Sequence, residues 1–216
     1  KEKTDSSKSI KRKLLQMKED LQIDKLPVHI ECFDNSNLQG DFAVAAMSVF
    51  KNLKPSKNDY RHFNIKTVVG PDDYASMEEI IYRRYKRIIE ENKSLPQLIV
   101  IDGGKGQLNA AIKSLEKLDL IEKISIISIA KKLEEIFKPN DIYPLYLNKR
   151  SETLKIIQQL RDEAHRFGIT HHRKKRIKES IYSQLEKIPN IGDKTSKLLL
   201  TKYKSLSNIK NLSLEE

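Results

Sequence analysis

The chain of 216 residues contains a single cysteine, Cys32, which excludes an internal disulfide and fits a reducing cytosol. No apolar stretch approaches the length needed to cross a bilayer, and the basic, polar start is unlike a secretory signal. A membrane partner is therefore not expected. There is no internal repeat and no low-complexity tract. The one glycine cluster, Gly103-Gly104-Lys105-Gly106, fits neither G-x-x-x-x-G-K-[ST] nor G-x-G-x-x-G, so no nucleotide cofactor is expected either. The chain opens on Lys1 rather than Met, and a longer parent chain is expected.

What is abundant is positive charge. The 41 Lys+Arg against 30 Asp+Glu give a net +11, which favours a polyanionic partner such as nucleic acid. The excess is concentrated: residues 165–204 carry eleven Lys/Arg and three Asp/Glu. A solvated helix face is the bland reading of such a run, but the adjoining motifs favour DNA. Apolar content of 38% suits a soluble protein with a modest core.

Hydrophobic periodicity divides the chain. Residues 1–10 are polar and expected to fray, and a weak amphipathic pattern (Leu14, Leu15, Met17, Leu21) predicts a helix to about Ile23, closed by Pro27. Strands are predicted at 28–34, 42–50 and 60–68. Short turns at 37–41 and 54–59 make these three an antiparallel meander. The Ser76-x-x-Glu79 pattern suggests a capping box for a helix to about Glu91. Strand 97–102, helix 105–118 and strand 124–130 then alternate as a parallel βαβ unit would. Residues 135–138 and 142–145 read as a hairpin or flap, and a helix capped by Ser151 is predicted to about Lys175. The stretch 176–186 leads into a second helical signal at 188–203.

The first of these strands delivers Asp34, and the strand Leu98-Ile99-Val100-Ile101 delivers Asp102. A carboxylate is costly beside a sheet core unless a cation or a hydrogen-bond network compensates. If the two strands are neighbours, the pair faces one point and can share a hard divalent metal. Either Asp alone could simply cap the turn that follows its strand. Both together point to metal-assisted hydrolysis.

Five blocks carry a resemblance: Glu31-Cys32-Phe33-Asp34-Asn35-Ser36-Asn37, Gly70-Pro71-Asp72-Asp73-Tyr74-Ala75-Ser76-Met77, Ile101-Asp102-Gly103-Gly104-Lys105-Gly106-Gln107, Ala130-Lys131-Lys132-Leu133-Glu134-Glu135-Ile136-Phe137 and Arg161-Asp162-Glu163-Ala164-His165-Arg166-Phe167. In this order, over roughly residues 28–204, they resemble the C-terminal half of the UvrC family, a subunit of the bacterial UvrABC excision nuclease. The resemblance implies an α/β, ribonuclease H-like mixed sheet of three antiparallel strands followed by parallel βα units, flanked by helices. In that fold the strands ending at Asp34 and Asp102 lie side by side and parallel.

The implied activity is a DNA endonuclease that cuts 5′ of a lesion, with Asp34, Asp102 and His165 as catalytic and metal-binding residues. Mg²⁺ or Mn²⁺ would lower the pKa of a water that attacks phosphorus in line, leaving a 3′-hydroxyl and a 5′-phosphate. His165 would complete the coordination or transfer a proton, and as a ligand it tilts the preference towards Mn²⁺. By composition His171 and His172 are equally available, and only the Glu-Ala-His-Arg-Phe block selects His165. Glu163, two residues away, lies on another helix face and reads as structural. The implied partners are damaged double-stranded DNA and the damage-loading UvrB subunit, with UvrA acting earlier. A catalytically silent DNA-binding or partner-docking module is the alternative.

DNA contacts are expected at several further places. Lys105 and Gln107 follow a glycine turn that exposes backbone N–H groups, and Lys131, Lys132, Arg166 and Arg173 supply charge. Ile188-Pro189-Asn190-Ile191-Gly192-Asp193-Lys194-Thr195 resembles a helix–hairpin–helix, so Asn190, Gly192, Lys194 and Thr195 are expected at a phosphate. The usual pattern has Gly where this chain has Asn190, and Asn is the next best residue for a left-handed turn. Asn37 stands where many relatives have His, and no role is assigned to it. The expected organisation is 1–26 as a helical or linker segment, 27–176 as the nuclease domain and 177–216 as an incomplete hairpin domain. The family's N-terminal nuclease, which makes the 3′ cut, has no counterpart in these residues, so dual incision by this piece alone is not expected.

Overall fold

The computed structural model describes residues 2–35, 44–68, 70–131, 133–188 and 190–211, without the side chains of 2–6, 171–184, 186, 193 and 207. The predicted 37–41 turn with Asn37, the start of the second strand at 42–43, and Lys132 lie outside these residues. The chain forms two compact units, Lys1–Ile169 and Thr170–Glu216.

The first unit is built on a mixed sheet: β1 (His29–Asp34), β2 (Val44–Lys51), β3 (Lys54–Pro55), β4 (Arg61–Asn64), β5 (Leu98–Asp102), β6 (Ser125–Ala130) and β7 (Glu135–Phe137). Its order is β3-β2-β1-β5-β6-β7, with β4 also paired to β2. The meander is present: β1–β2 and β2–β4 are antiparallel. β1–β5 and β5–β6 are parallel, as a βαβ crossover through α3 (Lys105–Glu116) requires.

Alternation along the strands feeds two cores. Phe33, Met47, Val49, Ile99 and Ile101 face α2 (Asp73–Glu90) and α3. Ile30, Cys32, Phe50, Leu98 and Val100 face the opposite side, where Met17 and Leu21 of α1 (Glu2–Leu21) and Leu154, Ile157, Leu160 and Ala164 of α4 (Glu152–Glu186) cover them. The α1 stripe is therefore part of the sheet's own core, and no unit boundary falls near residue 26.

Several predicted boundaries move, each for a local reason. Residues 2–10 are helical rather than frayed, propagating cooperatively from the part of α1 that Met17 and Leu21 anchor on the sheet. α1 ends at Leu21, near the predicted Ile23, but a left-handed Gln22 (φ 53°) rather than Pro27 closes it, with the Ile23 N–H bonded to the Lys18 carbonyl. The predicted turn at 54–59 contains β3 and a short 3-10 helix, because Asn52 and Leu53, both at positive φ, already reverse the chain. β4 stops at Asn64, since the N–H groups of Lys66 and Thr67 turn to the Glu79 carboxylate. That engagement also removes the Ser76 capping box. α2 starts earlier, capped by Asp72, which accepts from the N–H groups of Tyr74 and Ala75. β7 pairs with β6, and the expected flap is tied to it by the Ile136–Leu145 bridge. α4 runs ten residues and more past its predicted end, to Glu186, while its Ser151 cap is as expected: the Ser151 hydroxyl accepts from the Leu154 N–H.

In the second unit, α5 (Asp193–Tyr203) and α6 (Leu206–Lys210) follow the end of α4.

Candidate metal centre

The register of β1 and β5 sets Asp34 directly opposite Asp102 at the ends of parallel strands. Strand alternation puts both carboxylates on the face covered by α4. Ala164 seals that face, fully buried, and the next residue, His165, is carried to the rim. The helix is fixed at this height by Leu160, whose carbonyl accepts from the buried Ser48 hydroxyl on β2. Its next turn is fixed by Phe167, stacked on His62 of β4 at 3.8 Å and edge-on to Tyr60.

The result is a three-residue cluster. Asp34, Asp102 and His165 each offer one ligand atom, and these atoms lie within 4.8 Å of one another. His165 Nδ1 is 2.9 Å from Asp34 Oδ2, with the imidazole half-exposed and the carboxylate buried. Asp102 is the anomaly. Its side chain is fully buried, and neither oxygen has a hydrogen-bond partner. Burial and the neighbouring Asp34 push its pKa up to about 6, a rise that Lys131, with Nζ 3.3 Å away, only moderates. A buried carboxylate of this kind needs a compensating cation. Two carboxylates and an imidazole around one point fit a divalent ion. Cys32, on the same face, is no rival ligand: burial and the charges of Asp102 and Asp34 push its thiol well up.

The cluster opens into a pocket of about 330 Å³ lined by Asn35, Asp73, Gly103, Gly104, Gln107, Ala130 and Lys131 as well as both aspartates. It lies at the carboxyl ends of the parallel strands, where open α/β sheets bind ligands. Asn35 and Asp73 stand in two of the sequence blocks, but sequence reasoning assigned them no role. Asn35 is buried, donates from Nδ2 to the Asp73 carbonyl, and leaves Oδ1 without a partner. The signal that could have found them is position: Asn35 directly follows the strand-end Asp34, and Asp73 opens α2.

The remaining sequence-predicted residues divide by place. Gln107 and Lys131 line the pocket. Gln107 Oε1 accepts from the Gly104 N–H, closing the first turn of α3, and a Cβ on Gly103 would fall 1.6 Å from that oxygen. Lys105 Nζ donates to the Asp141 carbonyl on the flap. Arg166 pairs with Glu163, which also accepts from the Tyr60 hydroxyl, so Glu163 is tied into the fold. Arg173, His171 and His172 lie on α4, and their side chains are outside the described set. Asn190, Gly192, Lys194 and Thr195 belong to the second unit. Asn190 holds the left-handed conformation (φ 68°) and Gly192 caps α5, as the hairpin pattern anticipates.

Known proteins decide the family. The UvrC RNAse H endonuclease domain matches residues 18–169, a span that contains all three cluster residues. The chain belongs to the UvrC family. UvrABC system protein C of Christiangramia forsetii is 61% identical over 212 residues, covering 98% of this chain and 36% of that protein. The Flavobacterium psychrophilum relative is 61% identical over 95% of the chain and 34% of its own length. That of Bacteroides thetaiotaomicron is 47% identical over the whole chain and 36% of its own length. The UvrC chain described here thus spans about a third of these relatives. Human endonuclease V overlaps only loosely, with a TM-score of 0.37 at 17% identity over 58% of this chain and 59% of its own. Among the described residues, no helix is long and apolar enough to cross a membrane.

Proposed function

We propose that this part of a UvrC protein makes the 5′ incision of nucleotide excision repair, with Asp34, Asp102 and His165 holding Mn²⁺ or Mg²⁺. The observation that carries the reading is the buried, unbonded Asp102 carboxylate set opposite Asp34 and within reach of His165. An ion held there supplies Lewis acidity to the attacking water and to the phosphate oxygens. The protein does the rest. β1 and β5 fix the two carboxylates at the spacing of neighbouring strands, and α4 brings the imidazole to the open side. In the tautomer that donates from Nδ1 to Asp34, His165 Nε2 keeps a lone pair, suited to a ligand or to taking a proton. The mixture of two hard oxygens with one nitrogen favours Mn²⁺ over Mg²⁺.

DNA positioning is proposed for Lys105, Gln107, Lys131, Lys132, Arg166 and Arg173, and for the hairpin residues Asn190, Gly192, Lys194 and Thr195. The implied division of labour has the first unit, Lys1–Ile169, cutting and the second, Thr170–Glu216, gripping the backbone without reading bases. Damaged duplex DNA delivered by UvrB, after UvrA, is the proposed substrate, and the cytoplasm the proposed compartment.

The test is a Mn²⁺ titration of 5′ nicking on a lesion-bearing duplex, using the longer UvrC chain with its partner subunits. Asp34→Asn, Asp102→Asn and His165→Ala should lose nicking while retaining DNA binding. Full nicking by either Asn variant would remove the cluster from the mechanism.

A further inference from the structure

We propose that Lys131 is a resident counter-cation of the pocket, displaced when a divalent ion enters, so that metal must bind before a DNA phosphate can. This rests on the reading of Asp34, Asp102 and His165 as the cation site. β5 and β6 run parallel with Asp102 opposite Ile129, so the chain leaving β6 passes directly beside the Asp102 carboxylate. Lys131 is the second residue beyond that pairing. Its side chain is 60% exposed, yet Nζ lies 3.3 Å from Oδ2 of a carboxylate with no exposure at all.

The contact is a long ion pair, 3.3 Å from Nζ to Oδ2, rather than a short and well-directed hydrogen bond. It supplies charge without fixing geometry, which is what a displaceable cation needs. Among the described residues, the neighbouring cations Lys105 and Arg161 are committed elsewhere. Lys105 donates to the Asp141 carbonyl, and Arg161 forks between Glu134 and Asp162. Lys131, on a flexible four-carbon stem, can swing outward when an ion takes its place.

Charge then sets an order. Without metal, the three carboxylates of Asp34, Asp73 and Asp102 face one ammonium, and the pocket remains net negative towards a phosphate. With a divalent ion in place Asp34 and Asp102 are neutralised, and the displaced ammonium offsets Asp73, so the mouth no longer repels a phosphate. The same side chain thus competes with the metal and afterwards attracts the substrate.

The experiment measures Mn²⁺ binding to the 216-residue chain by electron paramagnetic resonance of free Mn²⁺ at pH 8. Lys131→Met should bind Mn²⁺ roughly 3- to 10-fold more tightly than wild type, the size expected for removing one close like charge near a surface. Lys131→Arg should stay near wild type, because it keeps the charge. Equal or weaker binding by Lys131→Met overturns the proposal. Lys131→Gln serves the same purpose should circular dichroism show the Met variant unfolded. Asp102→Asn separates the two levels: if it binds Mn²⁺ as wild type does, the metal site itself is wrong, not the role of Lys131.

Discussion

At the scale of single residues, Asp102 is destabilising in its metal-free form. Its folded pKa is raised to about 6 from 3.8, by burial first and by Asp34 second. A raised carboxylate favours the folded state only when protonated. That contribution is complete below the unfolded value near pH 4 and is lost as pH rises through about 6. Asp102→Asn should therefore raise the stability of the chelated protein at pH 7.5, by on the order of 2–3 kcal/mol. The gain should vanish below about pH 4, where wild-type Asp102 is itself neutral. Urea unfolding at the two pH values checks this; a gain independent of pH would contradict it. Glu31 shows the opposite solution on the same sheet. Burial alone would raise its pKa, but His29, Arg84 and Tyr85 outweigh that, and the carboxyl sits below its ordinary value. Arg84 Nη2 is 2.6 Å and the Tyr85 hydroxyl 2.8 Å from its oxygens. One buried acid is satisfied by protein; the other is not.

At the scale of elements, the site depends on how α4 is seated. Phe167, one half-turn beyond His165, is held between His62 and Tyr60. Phe167→Ala should cost about 2 kcal/mol for a half-buried aromatic. It should also slow nicking more than it weakens DNA binding, because it loosens the turn that presents the imidazole. Single-turnover nicking beside a binding titration distinguishes this from simple destabilisation; a parallel fall in both would exclude a positioning role. The strands were legible in sequence because alternating and continuous apolar runs fix them, and so were the two strand-end aspartates. The start of α2 was not. Glu79 looked like a capping partner for Ser76, but its carboxylate meets the backbone of Lys66 and Thr67, a contact across the fold that no local pattern encodes. The seating of His165 was equally hidden. The motif selected it among three histidines, whereas the reason, a buried Ala164 beside it and Ser48 holding Leu160, is tertiary.

At the scale of the molecule, charge and chemistry are divided along the chain. The first unit contains the carboxylate cluster, and the second contains α5 and α6, preceded by Asn190 at φ 68°. Removing residues 187–216, just past the end of α4 at Glu186, should weaken duplex binding. It should also flatten the dependence of affinity on salt, by about 0.9 in the log–log slope for each phosphate that the truncated chain no longer neutralises. Mn²⁺ binding should be unchanged. Unaltered DNA affinity in a salt titration would take the hairpin out of the mechanism. The family could be read from five sequence blocks, and each of them contributes residues to the pocket or its cluster. The division near residue 26 could not be judged that way, because only the assembled sheet shows that Met17 and Leu21 are core.

Asp34 and His165 are 131 residues apart in the chain, and Asp102 comes from a third segment inserted between their elements. Nothing short of the assembled sheet, with β5 in place beside β1 and α4 docked across both, brings the three together. Such non-local pairing is slow to form. A chain still emerging from the ribosome therefore carries its acids apart, and the cluster exists only once the sheet and α4 have come together.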